Sequence, residues 1–336
     1  MSAQPVHVLY GGAHLFRPGL ARRAGEIALA ALDAHGYPLP LALGVEERLR
    51  EKLRRHPVED FRIDFEDGYG KRSEADEDAH ARAAVAMLEA EPPAHRIGIR
   101  LKPFDLATET RAMRTLEIFL AAPLPAGFVV TLPKIATPDP VWRLARALHG
   151  HEIGIELLIE TSQAVRRIDQ LVDACEGKCA GLHFGAYDYM ASLGVPEPAQ
   201  SLLHPICDQA RIAMLQAGAA LGIPVADGVT NLLPVGETRQ VHAGWKAHAE
   251  GVRHALDFGI YAGWDVHPAQ LASRYATVFG YFRERLPEVS ARLKNYADRA
   301  TRLGNQFDDE ATVRGLRAFA DRAVECGAAS REEVEI

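Results

Sequence analysis

Eight times along this 336-residue chain a short apolar run with strand character gives way to a helix-length segment. The predicted strands are Val6–Tyr10, Phe61–Phe65, Ile97–Leu101, Phe128–Leu132, Ile153–Ile159, Ala180–Phe184, Pro224–Val229 and Gly263–His267. The predicted helices between and after them are Ala21–Ala34, Ser73–Ala90, Ala107–Leu120, Pro138–Leu148, Ser162–Ala174, Ile206–Leu221, Arg239–Phe258 and Ala269–Arg285. Strict alternation implies a parallel sheet, because parallel neighbours need a long crossover between them. Eight such units in about 285 residues fit a closed (β/α)8 TIM barrel. A doubly wound open sheet is the competing architecture. It lacks support from a dinucleotide turn: Gly11-Gly12 follows the first strand without the third glycine at the required spacing. Residues 1–286 are therefore assigned to a barrel catalytic domain. Residues 287–336, with helical stretches Val289–Leu303 and Asp309–Cys326, are assigned to a C-terminal helical extension that packs on the barrel or reaches a neighbouring subunit.

Composition narrows the class of function. The formal charge of −7, with Arg and Lys dispersed along helix faces, speaks against a nucleic-acid partner. The longest apolar runs, such as Ile27–Leu32, are too short for a membrane span, and Met1–Val6 carries no secretory pattern. Four cysteines do not make a disulfide framework in a chain of this length. Cys175 and Cys179 lack a second pair at metal-like spacing and are read as plain thiols. The expected compartment is a reducing cytoplasm.

The chemistry is concentrated at strand ends. Catalytic groups of a closed barrel sit at the carboxyl ends of its strands, and side chains alternate inward and outward along each strand. Ile155-Glu156-Leu157-Leu158-Ile159-Glu160 ends in a carboxylate, and Asp188 lies just past the next strand, Leu182-His183-Phe184. Glu160 and Asp188 are thus expected to converge on one hard cation. Oxygen-only ligation suits Mg2+, with Mn2+ an alternative. Glu156 shares the parity of Glu160 but lies four residues deeper, which points to a buried Arg or Lys partner. Glu66 and Asp67 close the second strand and either order the water around the metal, orient an arginine, or brace the loop. Asp64 is deeper and reads as structural. Arg100, at the third strand end, is placed to hold a carboxylate and steady a developing enolate oxygen, or to pair with Glu66 or Asp67. Lys134 either faces the site or neutralises an acid. Asp227 and Asp265, with His267, could bind substrate or shuttle protons, with loop bracing as the alternative. Periodicity does not decide which way His183 faces.

Six ordered motifs carry a resemblance over residues 5–285: Asp64-Phe65-Glu66-Asp67-Gly68, Ile99-Arg100-Leu101, Leu132-Pro133-Lys134, Ile159-Glu160-Thr161, the Gly185–Asp188 turn and His267-Pro268-Ala269-Gln270. Their order resembles the citrate lyase β-subunit-like group of the HpcH/HpaI aldolase superfamily, within the phosphoenolpyruvate/pyruvate barrels. The longer strings Arg62–Gly70 and Gly263–Leu271 are similar to a branch sometimes labelled phosphoenolpyruvate kinase. The resemblance implies a Mg2+-dependent carbon–carbon lyase or aldolase acting on a small 2-oxo or hydroxy carboxylic acid, or an acyl-CoA, through a metal-bound enolate. Carried over by motif, Glu160 and Asp188 would be metal ligands, Arg100 would bind carboxylate or enolate, and Glu66 or Asp67 would order the water shell. It further implies a homo-oligomer, trimer or hexamer, with a C-terminal segment reaching over a neighbour's site. The first strand departs from the acyl-CoA-cleaving pattern: Val8–Gly19 has extra residues and no basic start, so a free acid fits better than a thioester. Phosphoryl transfer involving phosphoenolpyruvate and a non-catalytic metabolite-binding barrel are the competing functions. The first of these lacks a Gly-x-x-x-x-Gly-Lys-Ser/Thr cradle.

Overall fold

In the computed structural model, which describes residues 4–298, 302–303 and 306–334, eight parallel strands close into one barrel in chain order. The strands are β1 (His7–Gly12), β2 (Asp60–Asp64), β3 (Arg96–Arg100), β4 (Val129–Leu132), β5 (Gly154–Ile159), β6 (Cys179–Phe184), β7 (Val225–Asp227) and β8 (Ala262–Asp265). Closure is made by β1 on β8, with Val8 opposite Trp264. The helices through β7 are α1 (Leu20–His35), α2 (Val45–Arg55), α3 (Glu74–Ala90), α4 (Glu109–Leu120), α5 (Pro138–Ala147), α6 (Ser162–Val165), α7 (Ile168–Asp173), α8 (Ala186–Ser192) and α9 (Pro205–Leu221). They are followed by α10 (Thr238–Asp257), α11 (Gln270–Ala297), α12 (Glu310–Glu325) and α13 (Arg331–Val334). The barrel expected from the alternation is the one observed.

Period-two patterning explains why it closes. Outward positions such as Ile63, Ile99, Val130, Leu132, Ile155 and Leu157 are apolar and buried beneath the helices. Inward positions carry Tyr10, Arg62, Asp64, Arg100, Thr131, Glu156, Leu158, Glu160, His183 and Trp264. Val8, Tyr10, Leu158 and Trp264 form a separate apolar layer inside the barrel. Below it, Arg62 lies between Asp60 and Glu156, bonding Glu156 Oε2 through Nε at 2.8 Å and Asp60 Oδ2 through Nη2 at 3.1 Å. Thr131 Oγ1 donates to the same Glu156 oxygen at 2.8 Å. Burial would push a carboxylate up, but the Arg62 charge and the His183 ring nearby bring Glu156 down to about 2. The deep glutamate is indeed an arginine partner on the barrel floor.

Helix starts follow local chemistry. Ser73 caps α3 by accepting from the Asp76 N–H at 3.1 Å, and its hydroxyl donates to the Asp76 carboxylate at 2.6 Å. Glu237 and Gln240 form a reciprocal capping box on α10. Three elements differ from expectation. Helix α2 was not anticipated; its Val45, Leu49 and Leu53, each four apart, form the buried stripe of an otherwise charged segment. The helix predicted over Ser162–Ala174 is two short ones, interrupted at Arg167, whose φ of −132° turns Ile168, Leu171 and Val172 into the core. The separate helices expected around Pro287 are one: α11 runs through it, and so across position 286. The missing proline donor is tolerated because Leu286, Val289 and Leu293 are buried on both sides of it, the last two against Val313, Leu316 and Ala320 around α12. Residues 299–301 of the second expected helix, and the terminal 335–336, lie outside the described residues.

Candidate active site

The carboxyl ends of β1, β2, β3, β5 and β6 surround a cavity of about 360 Å3, lined by Tyr10, Asp64, Asp67, Arg100, Glu160 and Asp188 among others. Arg100 is its best-anchored group. Asp64, on the adjacent strand in register with it, accepts from Arg100 Nε at 2.7 Å and from Nη2 at 2.5 Å. The same Asp64 carboxylate accepts from the Glu66 and Gly68 amides at 2.9 and 2.7 Å, so the β2 loop and the guanidinium are fixed together. A side chain at Gly68 would collide with Asp64 Oδ2 at 2.5 Å, which is why glycine stands there. The guanidinium lies over the Tyr10 ring at 5.1 Å and near Trp264 at 6.0 Å. Trp264 is itself held by its indole N–H on Phe184 O at 2.9 Å. Arg100 Nη1 is left towards the acids, 3.0 Å from Glu66 Oε2 and 4.0 Å from Asp67 Oδ2. The Glu66 contact is an ion pair without hydrogen-bond alignment, and Glu66 Oε2 is buried with no hydrogen-bond partner.

Glu160 closes β5 at 2 % exposure and Asp188 stands in the first turn of α8 at the rim, with 47 % of its side chain exposed. Gly185, between them in sequence, admits Glu160: a Cβ there would lie 2.3 Å from that of Glu160. Lys134, past the end of β4, links the two. Its backbone N–H donates to Glu160 Oε1 at 2.5 Å, and its Nζ lies 2.6 Å from Asp188 Oδ2. Its φ of +54° is in the left-handed region, which residues with side chains seldom adopt.

Burial dominates the electrostatics. It pushes Glu160 up to about 8 against the pull of Lys134, with Asp188 and Glu66 adding to the rise. Burial likewise brings Glu66 to about 7, opposed by Arg100 and Lys134 and aided by Asp67 and Asp64. Burial works to lower Lys134 too, but Glu160, Glu66 and Asp188 outweigh it and hold the ammonium charged. For Glu160 the folded value lies above the ordinary 4.5, so the proton-bound form is the one folding favours. Its stabilisation is complete below about 4.5 and is lost as pH rises through about 8. In metal-free solution, the stability of wild type relative to Glu160→Gln is therefore expected to fall steadily from pH 5 to pH 8 in urea titrations. A constant difference would contradict this.

The structure brings Arg100, Glu66, Asp67, Lys134, Glu160 and Asp188 together. Asp227 is a correction: expected at the substrate, it turns outward, and both oxygens bond Arg211 of α9, at 2.9 and 3.0 Å. Register explains this, since inward His183 is opposite Ala226, leaving Asp227 on the helix side. Asp265 points outward as well, bonded to Arg274 at 2.9 Å and beside His248 at 2.9 Å. His267 lines an adjoining cleft towards α1, its Nδ1 accepting from Ala269 N–H at 3.1 Å. His183 faces inward, Nδ1 3.2 Å from the Tyr10 hydroxyl. Sequence reasoning passed over Tyr10 and Trp264, and gave Asp64 only a structural role. The available signal was parity: Asp64 precedes Glu66 by two residues and is opposite Arg100.

Among the described residues, no three His, Cys, Asp or Glu side chains form a ready-made metal cage. The donor set nevertheless suits Mg2+, which is held by one or two carboxylates and keeps several waters. Glu160 and Asp188 would supply the oxygens, with Glu66, whose Oε2 is ion-paired with Arg100 Nη1 at 3.0 Å but makes no hydrogen bond, in the same cluster.

No curated protein sequence matches the chain. Solved structures do resemble it. A citrate lyase from Burkholderia xenovorans LB400 superposes with a TM-score of 0.71 at 21% identity, over 98% of this chain and 95% of that one. CitE from Mycobacterium tuberculosis, in complex with magnesium, acetoacetate and coenzyme A, gives 0.63 at 19% identity, over 96% and 98%. RipC from Yersinia pestis gives 0.53 at 20% identity, over 82% and 95%. At these identities the likeness is one of fold. The sequence itself matches the family model of a domain of unknown function, DUF6986, across residues 1–336, and the chain belongs to that family.

Proposed function

We propose that this barrel catalyses reversible carbon–carbon cleavage of a small 2-oxo or hydroxy carboxylic acid, leaving the electron pair of the broken bond as an enolate beside Arg100. The observation that carries the reading is a guanidinium locked by Asp64 that shares one cavity with the carboxylates Glu160 and Asp188. Citrate lyase structures of the same fold support it, among them a Mycobacterium tuberculosis β subunit complexed with oxaloacetate and magnesium.

In this reading Glu160 and Asp188 hold Mg2+, or Mn2+, and Glu66 or Asp67 orders its water. When bound, the ion supplies a Lewis acid and a template for the carboxylate and its neighbouring oxygen. Arg100 binds the substrate carboxylate or the developing enolate oxygen, using the Nη1 edge that Asp64 leaves free. Asp64 prevents the guanidinium from reorienting as charge moves, which keeps the donor preorganised. Tyr10, Leu158 and Trp264 form an apolar floor that bars water from below and strengthens each charge contact above it. Asp227, spent on Arg211, takes no part, and His267 belongs to the adjoining cleft. The β1 turn favours a free acid over a thioester. The reading also takes the protein as a cytoplasmic homo-oligomer, trimer or hexamer. Its four free cysteines fit a reducing compartment, and no helix among the described residues is long and apolar enough to cross a membrane.

Oxalate, a planar dianion shaped like the enolate of pyruvate, tests this. A site built for the enolate binds it more tightly than pyruvate, by about tenfold or more, in a Mg2+-dependent manner that Arg100→Ala removes. Calorimetric titration showing equal affinity for the two, or affinity untouched by Arg100→Ala, would count against the proposal.

A further inference from the structure

The ammonium of Lys134 stands inside the acid cluster. Its Nζ is 2.6 Å from Asp188 Oδ2, 3.6 Å from Asp67 Oδ2 and 3.7 Å from Glu66 Oε1, while its own backbone N–H lies on Glu160 Oε1 at 2.5 Å. A single residue thus takes up one oxygen of each carboxylate assigned to the cation. It does so from a left-handed backbone, a conformation that is unfavourable for a residue with a side chain and persists only where its surroundings hold it.

We propose that Lys134 is an internal counter-cation that occupies the acid cluster until a divalent ion enters and is displaced by it, so that Lys134 sets the metal affinity of the site. The inference rests on the reading of Glu160 and Asp188 as the ion's ligands. Arg100 lies against Glu66 and Asp67, and among the described residues only Lys134 brings a side-chain cation within 4 Å of Asp188, so without the ammonium Asp188 would face the neighbouring acids unopposed. The ammonium relieves that repulsion. It also has somewhere to go: the Lys134 side chain is 29% exposed, and its closest partner, Asp188, is at the rim. A flexible four-carbon stem regains rotamer freedom when it swings out, and a doubly charged ion makes shorter contacts with the same oxygens than an ammonium can. The two halves of Lys134 then have different duties. The backbone amide keeps Glu160 aimed in both states, and the side chain yields.

Lys134→Gly separates these duties, since glycine keeps the left-handed backbone and the amide while removing the ammonium. Lys134→Asn, which also tolerates that backbone, serves as the second variant. Titrated with Mg2+ in a calorimeter, both are expected to bind the ion on the order of tenfold more tightly than wild type. Both are also expected to melt lower without metal and to gain more from its addition. In wild type, labelling of Lys134 by acetic anhydride, read by peptide mass spectrometry, is expected to rise several-fold on saturation with Mg2+. Unchanged or weaker Mg2+ affinity in both variants, or Lys134 labelling indifferent to the ion, would overturn the inference while leaving the ligand assignment standing. A wild-type protein that binds no Mg2+ would overturn the ligand assignment itself and this inference with it.

Discussion

Glu160→Gln is expected to abolish Mg2+ binding and to reduce any Mg2+-dependent turnover by about a thousandfold or more, with the fold retained. Glutamine has the shape of glutamate, so it still fits beside Gly185 and its carbonyl oxygen still accepts the Lys134 amide. What it lacks is the charge. In the metal-free protein that charge is a burden, as the rise of Glu160 to about 8 under burial records. The variant is therefore expected to equal or exceed wild type in thermal stability above neutral pH while failing to bind the ion. Loss of stability together with loss of binding would point to a structural role. Metal affinity close to that of wild type would remove Glu160 from the site. Asp188→Asn should lose the ion as well, but as an exposed rim group it carries no comparable stability signature.

The second large effect lies at the other end of the barrel. Arg62 is fully buried, bonded to Asp60 and Glu156, and Nη1 also donates to Phe61 O at 3.0 Å. Arg62→Leu leaves two buried carboxylates without their cation, and removing one partner of a buried ion pair costs about 3–5 kcal/mol. For a chain of this size that corresponds to a fall in Tm on the order of 5 °C. The same principle makes the loss recoverable: replacing all three residues by apolar ones of similar volume is expected to restore most of it, because the network's strength is largely the cost of leaving it half made. Scanning calorimetry of the single and triple variants decides this. A triple variant no more stable than Arg62→Leu would show that the interior charges contribute more than mutual neutralisation.

The barrel was legible because each strand is a short apolar run with a helix after it, and because strand ends are where acids and bases stand out. Glu160, Asp188, Arg100 and Lys134 stand out in the sequence for that reason, and the structure gathers them at one end of the barrel. Parity was the signal used too sparingly. Asp227 is the last residue of β7, whereas Glu160 follows the last residue of β5, and Asp227 faces Arg211 rather than the cavity. The depth of Asp64 in its strand suggests a structural role, although depth within a barrel means contact with the neighbouring strand, here Arg100. Tyr10 and Trp264 were invisible to a search for charges, since an aromatic at a strand end reads as core. Their role under the guanidinium follows only from the closure of β1 on β8. At the C-terminus the sequence predicts separate helices on either side of Pro287, but packing of Leu286, Val289 and Leu293 outweighs one missing donor. Local signals mark where an element starts, and tertiary burial decides whether it continues.

The most direct test of the central claim is hydrogen exchange at the methyl group of pyruvate in deuterated water, followed by proton NMR with Mg2+ present. The expected result is loss of the methyl signal at a rate that needs the protein and the ion, and that disappears in Arg100→Ala and Glu160→Gln. Retention of the methyl protons by a protein that demonstrably binds both Mg2+ and pyruvate would contradict enolate formation in this barrel.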